Sequence, residues 1–559
     1  MTKPTCGAAG ALHGAVMPPI AKPFPERFAA AWQRVNRTAG LRWQSQLVVF
    51  SLAFLLIISH RPDAVRNAQF YAEDGVIWFA QAHNSGWLHS LLLPQNGYFQ
   101  TLPRLAAGVA LLIPLRWAPL AMNLLGITVQ VLPITLLLSN RLANWGPFPL
   151  RALWAVAYLL LPNVTELDAT ITEGQWHLAL LTCLLIMANV PRNLPSRLFD
   201  IAVILIGGLT GLFCVFLLPI AVTYWYLHRE RWRAVPIGLL SLTSLTQLSA
   251  ALGTAAVARS QAPLGATPKL FFQLLAGRIY MAALWGDLSL RAQQHLMLLL
   301  LAVLVGTSIA LYCVWKATWE LRLLTLFSFV MLGLSLVHPM ASYAGPQWQI
   351  LSTAAGQHYW FLPMVAFVWC LIWSSRNAEP DWLRLLASCL LMTMPLGITG
   401  DWHYPPYANM HYRMYVQHYA AAQEGASVPI PIFPPGWEMT LIKKSAVCPI
   451  YPEGLIDAPQ NGSTLSGLVE VSGWVIAAGR HVKQISLKVD DRSLPPFRPQ
   501  ISRPDVDGIH PDSPDKDKGW QTRFDSSQLT PGPHRLAVWA VEDSGCATEI
   551  ARETIERAH

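Results

Sequence analysis

Long apolar runs, with arginine or lysine gathered at alternate ends, constrain this chain more than any other feature. A helix rises about 1.5 Å per residue, so about 20 apolar residues cross a hydrocarbon core about 30 Å thick. Such runs fall at 46–60, 118–140, 152–163, 176–190, 198–227, 234–256, 294–315, 323–337, 359–374 and 383–399. The stretch 198–227 is basic at both ends, so it reads as two short passes around Gly207-Gly-Leu-Thr-Gly211. Hydropathy and charge together therefore predict about eleven spans. The run 103–113 is too short to cross, and reads as re-entrant or as half of a tilted hairpin. The 559 residues are 53% hydrophobic and only 13% charged, against about 25% charged in soluble domains. The fold class is thus a polytopic α-helical membrane protein.

Orientation follows from the basic residues. Residues 1–44 hold Lys3, Lys22, Arg27, Arg34, Arg37 and Arg42 against Glu26, and read as a disordered cytoplasmic tail. The tail is too long to lead an ordinary signal peptide, so 46–60 is expected to stay as the first span. Arg141, Arg151, Arg192, Arg197, Arg229, Arg231, Arg233, Lys316, Arg322, Arg376 and Arg384 then fall inside. Residues 61–117, 164–175 and 257–293 fall outside, as does everything after 400. The formal charge of +8 is loop charge of this kind, so nucleic acid is not an expected partner. The partner implied is the bilayer.

The transmembrane region therefore covers 45–400. Residues 401–458, rich in aromatics and proline, read as an extended linker on the membrane face. From 459 to 559 the periodicity switches to two, as in Val469–Ile476, Ile485–Val489 and Arg535–Val541. Asp490-Asp491, Pro531-Gly532 and Ser544-Gly545 punctuate the strands. About seven short strands in about 100 residues predict an immunoglobulin-like β-sandwich, periplasmic if the parity holds. It carries no catalytic cluster, so it serves docking, carbohydrate contact or a structural cap. Cys183, Cys214, Cys313, Cys370 and Cys389 lie in spans as core residues, and Cys6 lies in the tail. Cys448 and Cys546 lie outside, where an oxidising periplasm would allow a disulfide. Neither CxxC nor HExxH spacing is present.

The chemistry concentrates in the outer loops. Phe70-Tyr-Ala-Glu-Asp-Gly-Val-Ile-Trp-Phe79 places Glu73 and Asp74 at the membrane edge, ahead of an interfacial helix predicted over 76–88. Carboxylates are costly in hydrocarbon, which favours a site; the plainer alternative is a loop that caps that helix with acids. Three further groups share the side: Arg104 in Tyr98-Phe-Gln-Thr-Leu-Pro-Arg104, the acids Glu166, Asp168 and Glu173, and His338 with Gln357-His358-Tyr359. A carboxylate could take a proton from an attacking hydroxyl while Arg104 or His358 neutralises a departing phosphate. The alternatives are a snorkelling Arg104, interfacial histidines and a loop-capping Glu166. Adjacent helical positions point about 100° apart, so Glu73 and Asp74 are not expected to face one acceptor together. Asp74, shorter and next to Gly75, is the sharper candidate for the base.

An acidic pair in the first outer loop, a second acid after the third or fourth span, many spans and an outer carboxy-terminal domain resemble the GT-C glycosyltransferases. More narrowly, Glu73-Asp-Gly, Gly97-Tyr98 with Arg104, Pro162 with Glu166 and Gln175-Trp176, and Gln357-His-Tyr look like bacterial membrane proteins of surface-polysaccharide assembly. The resemblance covers about 45–400. It implies transfer of a sugar from a polyprenyl-phosphate donor to a glycan or lipid acceptor, in the bacterial inner membrane. It implies Asp74 or Glu73 as base, and Glu166 or Asp168 as a second acid near the lipid phosphate or a divalent cation. A metal would fall to Glu73, Glu166 and Asp168. Tyr98, Arg104, Gln175, Trp176, His358 and Tyr359 would bind substrate. Where such proteins often carry an Arg-Tyr pair, this chain has His358-Tyr359, which shifts phosphate binding toward Arg104. The rival classes are a lipid-linked-glycan polymerase or ligase, a transporter of polysaccharide export and, third, a non-catalytic membrane scaffold for the sandwich domain.

Overall fold

The computed structural model describes residues 40–253, 262–341, 345–444, 451–490, 492–510 and 513–558. Most of the expected tail, Cys6, Cys448 and residues 257–261 of the expected outer loop lie outside the described residues.

Seven helices are long and apolar enough to cross a membrane: Trp43–His60, Leu115–Leu137, Arg231–Gly253, Leu296–Lys316, Trp319–Val337, Gln357–Asn377 and Asp381–Gly400. Three shorter apolar helices, Phe148–Leu159, Gly174–Ile186 and Phe213–His228, pack among them. Leu194–Gly208 completes the bundle, and the break before Phe213 falls where Gly211 takes a φ of +79°. That backbone is open to glycine at no steric cost. Trp43–His60 buries only a narrow face, with Trp43, Leu47, Leu52 and Leu55 exposed. A helix so apolar on its outer side belongs in lipid.

Gln357–Asn377 is the axis of the bundle and is buried along nearly its whole length. Trp369 on it and Trp154 on Phe148–Leu159 stack at 5.3 Å. Each indole N–H donates to the other residue's carbonyl, at 3.1 and 3.2 Å. Two buried donors are thereby satisfied, as buried tryptophans require. At one end of the bundle, arginines close helix ends. Arg141 forks onto Asp200 at 2.7 and 3.1 Å, and Arg151 donates to the carbonyls of Leu137 and Ser139. Arg233 donates to Ala188 O. Cations on terminal carbonyls satisfy orphan acceptors and oppose the helix dipole.

The other end gathers the loops. Thr101–Ala110 is a short helix of 10 residues, about 15 Å long, that stays at this end. The interfacial helix expected over 76–88 starts earlier, as a π-helix at Asp74–Phe79 that continues as Ala80–Asn84. It stops before Gly86, which takes a φ of +96°.

Residues 401–444 are not an extended linker. They fold as a helix, Tyr412–Ala421, and an antiparallel hairpin of β1 (Ser427–Ile432) and β2 (Trp437–Ile442). Ile430, Ile432, Met439 and Leu441 pack on Phe70, Trp78 and Phe79 of the first loop. The prolines of β1 hide its alternation, and Pro434-Pro435-Gly436 makes the turn. Ala72 N donates to Phe433 O at 2.7 Å, and Phe433 N to Phe70 O at 3.2 Å. The first loop and residues 401–444 therefore share one face.

The carboxy-terminal region is β-sheet. One sheet orders β4 (Thr464–Leu465), β11 (Ala547–Arg557), β10 (Gly532–Glu542), β6 (Val482–Val489) and β7 (Arg492–Ser493). The second orders β3 (Glu453–Ala458), β5 (Leu468–Ile476), β9 (Asp517–Asp525) and β8 (Ile501–Ser502). Val471 and Trp520 from one face Leu487 and Val538 from the other in a shared core. The β region begins before residue 459, because β3 pairs antiparallel with β5. Cys546 is disulfide-bonded.

Candidate active site at the loop end

The start of the π-helix sends the two adjacent carboxylates in different directions. Ala72 has a φ of +44°, and Asp74 N returns to Tyr71 O at 2.9 Å, a tight entry that fixes both side chains. Asp74 turns inward and is fully buried. Its Oδ1 accepts from Thr172 N at 3.0 Å and from the Thr172 hydroxyl at 2.5 Å. Trp78 Nε1 donates to that hydroxyl at 2.8 Å. Asp74 Oδ2 is buried with no hydrogen-bond partner. Burial pushes the Asp74 carboxyl up to about 7, against the pull of the Thr172 hydrogen bonds.

Glu73 turns the other way, into a cavity of about 280 Å³. Glu173, His338 and His358 reach the same cavity, with Gln100 and Gln175. Tyr98, Trp176 and Tyr359 give it aromatic walls. Trp176 lies 5.6 Å from the His358 ring and 6.0 Å from Tyr359, between centroids. Tyr359 Oη accepts from Met340 N at 3.0 Å, and Gln175 Oε1 accepts from Gln100 Nε2 at 3.2 Å.

His358 is held between two acids: its Nδ1 lies 3.3 Å from Glu166 Oε2 and 3.6 Å from Glu173 Oε1. Glu166 also accepts from Gly356 N at 3.2 Å and Gln357 N at 2.8 Å, and so caps the axial helix from another segment. Gln357 answers by accepting from Glu166 N at 2.9 Å and from the Thr165 hydroxyl at 2.7 Å. Burial alone would raise Glu166, but His358 and these amides hold it below its ordinary value. Burial and the charges of Glu166 and Glu73 push Glu173 up to about 7, against His358. Burial likewise raises Glu73.

The structure thus brings Glu73, Tyr98, Gln175, Trp176, His358 and Tyr359 together, with Glu166 behind His358. Three expected site residues stand apart from the cavity lining. Asp74 is walled in by Thr172. Arg104 is fully buried, its guanidinium 5.1 Å over Trp78 and its Nη1 donating to Gln81 at 2.8 Å. It therefore neither snorkels nor lines the cavity. Asp168 accepts from Tyr404 at 2.6 Å, lies 3.4 Å from His60 and is bonded by Gln130, joining three distant segments. The cation ligands expected as Glu73, Glu166 and Asp168 are accordingly not assembled. Among the described residues no group of three His, Cys, Asp or Glu side chains could hold a metal ion.

Sequence reasoning missed Thr172, Trp78 and Arg278. Arg278 sits fully buried in a second π-helix, Leu274–Met281, and donates to Ala354 O at 3.3 Å beside the capped helix start. The signal for it was an arginine inside Leu274-Leu-Ala-Gly-Arg-Ile-Tyr-Met281. π-Helical turns recur at functional sites, and both here flank this end of the bundle.

The arrangement is a helical bundle, seven of whose helices are long and apolar enough to cross a membrane, with an acid- and imidazole-lined cavity at its loop end. No family model matches the chain, and no curated protein matches it. Among solved structures it is similar over 19% of its length to an endo-beta-1,4-mannanase from Thermotoga petrophila, at 15% identity and a TM-score of 0.15. That match spans 20% of the mannanase chain. It is also similar, over 19% of its length and 99% of the other chain, to fibronectin(III)-like modules of Clostridium thermocellum CbhA. The identity is 12% and the TM-score 0.13. Scores this low carry no argument about fold or activity.

Proposed function

We propose that the chain is a GT-C-type membrane glycosyltransferase. It moves a sugar from a polyprenyl-phosphate carrier to a glycan or lipid acceptor at the outer face of a bacterial inner membrane. In this reading the eleven helices all cross the bilayer, and the β region is an immunoglobulin-like periplasmic domain. The observation that carries it is the cavity at the loop end, where Glu73 and Glu173 face aromatic walls and His358 is fixed between Glu166 and Glu173.

Glu73 is the base in this scheme. Its carboxylate takes the proton of the acceptor hydroxyl as that oxygen bonds to the anomeric carbon. The bond from that carbon to the phosphate oxygen breaks, and polyprenyl phosphate leaves with the electron pair. His358 and His338 face the departing anion and offset its charge. Trp176, Tyr98 and Tyr359 give the flat apolar surfaces on which sugar rings pack. A transporter would carry its charges along the spans, whereas the acids of this cavity sit at the bundle end.

The test uses purified chain with a panel of polyprenyl-phosphate sugars, following released polyprenyl phosphate and labelled acceptor. Sugar transfer by the wild type that Glu73→Gln abolishes supports the reading. Membranes of a deletion strain should in parallel accumulate the matching donor. The reading is sunk if the deletion leaves every donor pool and surface glycan unchanged and no donor is consumed.

A further inference from the structure

A second cleft, of about 380 Å³, lies outside the candidate site, at the loop ends of two spans. Arg66 enters it from just after Trp43–His60, and Arg116 from the start of Leu115–Leu137. Arg413 and His411 enter from the first turn of Tyr412–Ala421. No carboxylate lines the cleft, and none of the three arginines forms an ion pair among the described residues. The cleft is built rather than incidental: Tyr412 Oη donates to Leu115 O at 2.9 Å, and Asn409 Oδ1 accepts from His411 N at 3.0 Å. Those bonds hold the helix start against the beginning of the span, so that the helix dipole adds to the positive field.

The surroundings of the cleft are apolar. Arg116 stacks on Trp117 at 4.6 Å, and Trp117, Val65 and Met414 are exposed on its walls. Leu112, in the turn before the span, is 84% exposed. A basic floor beside bare apolar side chains at a span end matches one molecule with an anionic head and a hydrocarbon tail. Free phosphate would use the arginines and leave Leu112 and Trp117 in water. We propose that this cleft binds the phosphate headgroup of an anionic phospholipid of the surrounding leaflet, with its acyl chains running past Trp117 and Leu112. Three arginines around one cleft attract such a headgroup, each by about 1 kcal/mol, and the bilayer supplies it at high local concentration. The inference is independent of the transferase reading.

The experiment takes the full chain, reconstituted with phosphatidylglycerol and phosphatidylcholine and then delipidated. Retained lipid is counted by native mass spectrometry for wild type and for Arg66→Gln, Arg116→Gln, Arg413→Gln and the triple variant. Wild type should keep phosphatidylglycerol over phosphatidylcholine. Each single substitution should weaken retention about fivefold, and the triple about a hundredfold, from the usual contribution of a basic residue near a membrane surface. All three arginines are exposed, so the fold should tolerate their loss. If the triple variant is not monodisperse, the graded loss in the singles decides. Equal retention by wild type and variants overturns the proposal. So does a cleft that inorganic phosphate occupies with no preference for phosphatidylglycerol, which makes it a free-anion site. Displacement of the lipid by a uronate-containing oligosaccharide overturns it in favour of a glycan groove.

Discussion

Thr172 binds Asp74 with both of its donors, the backbone N–H at 3.0 Å and the hydroxyl at 2.5 Å, and both meet the same carboxylate oxygen. The second oxygen of Asp74 is buried without a partner. This contact joins the loop that carries Glu73 to the loop before Gly174–Ile186, and so sets the distance between Glu73 and Glu173 across the cavity. Asp74 thereby acts on the cavity through position.

The pairing has a consequence for pH. Burial raises the folded-state carboxyl of Asp74 from 3.8 to about 7. An acid so raised favours the protonated folded state. Its contribution to stability is complete below its unfolded value and is lost as pH rises through about 7. Asp74→Asn removes that loss. In thermal unfolding of the detergent-solubilised chain, the variant should melt above wild type at pH 8, and the gap should close in acid. Glu173, raised to about 7 for the same first cause, gives both proteins a residual slope of the same sign. A variant that melts lower than wild type at pH 8 would show that the charge of Asp74 is needed for the fold.

The divergence of Glu73 and Asp74 ranks two variants. On the proposed transferase reading, with Glu73 on the cavity wall, Glu73→Gln should lower transfer by about 10²–10⁴, the usual loss on removing a general base. Asp74→Asn keeps the oxygen that Thr172 binds and should retain far more turnover. Initial rates at saturating donor separate the two. The reverse ranking would return the base role to Asp74.

Much of the bundle was legible because apolar length is a local property. A helix stands at each apolar run, and the break within 198–227 falls at Gly211. Site residues were legible as types: Glu73, His358, Trp176 and Tyr359 are polar or aromatic groups placed at helix starts. What could not be read locally was direction and partnership. Which of two adjacent acids turns inward depends on the π-turn after Ala72 and on Thr172, about 100 residues away. Asp168 looked like a site acid, but His60, Gln130 and Tyr404 converge on it from three other segments. Arg104 looked free to meet phosphate until Trp78 and Gln81 covered it. The hairpin at 427–442 was hidden because proline is rare within strands, yet both prolines of β1 sit on a two-stranded edge where it is tolerated.

Glu166 caps the axial helix from a distance of about 190 residues in sequence, accepting from Gly356 N and Gln357 N. Glu166→Ala removes both acceptors and should cost about 1 kcal/mol or somewhat more, as lost helix caps do. The midpoint of thermal unfolding should fall, and Glu166→Gln should fall less because one acceptor oxygen remains. His358 would lose its 3.3 Å partner in the alanine variant, so any transfer activity should drop beyond what the change in stability explains. Equal melting of all three proteins would remove the cap from the account.

The hydrogen bonds between Phe70, Ala72 and Phe433 put residues 61–117 and 401–444 on one side of the bundle. In a background without native cysteines, Leu92→Cys and Asn409→Cys should therefore react with the same membrane-impermeant maleimide. Both positions are exposed. Labelling of both in intact cells places that face outward. Labelling of only one before lysis would contradict the shared face.

The β region has its own core, which leads to the last expectation. Val471, Leu487, Trp520 and Val538 come from four strands of both sheets and are buried against one another. No residue of the helical bundle belongs to that cluster. A fragment spanning 451–558 should therefore unfold cooperatively, with a β-type circular dichroism spectrum. Leu487→Ala should lower its stability by about 2–5 kcal/mol, the usual result of a large-to-small change in a packed core. One edge is shared with the rest of the chain: Glu549 N donates to Gly425 O at 3.1 Å, and the Thr548 hydroxyl to the same oxygen at 2.9 Å. A longer fragment from 423 restores those bonds and also carries Cys448, so that Cys546 again has a cysteine to pair with, and it should melt higher than the shorter one. Disorder of the short fragment beside a folded long one would assign the hairpin to this domain. Disorder of both would mean that the strands take their order from the helical bundle, and that the shared core does not suffice.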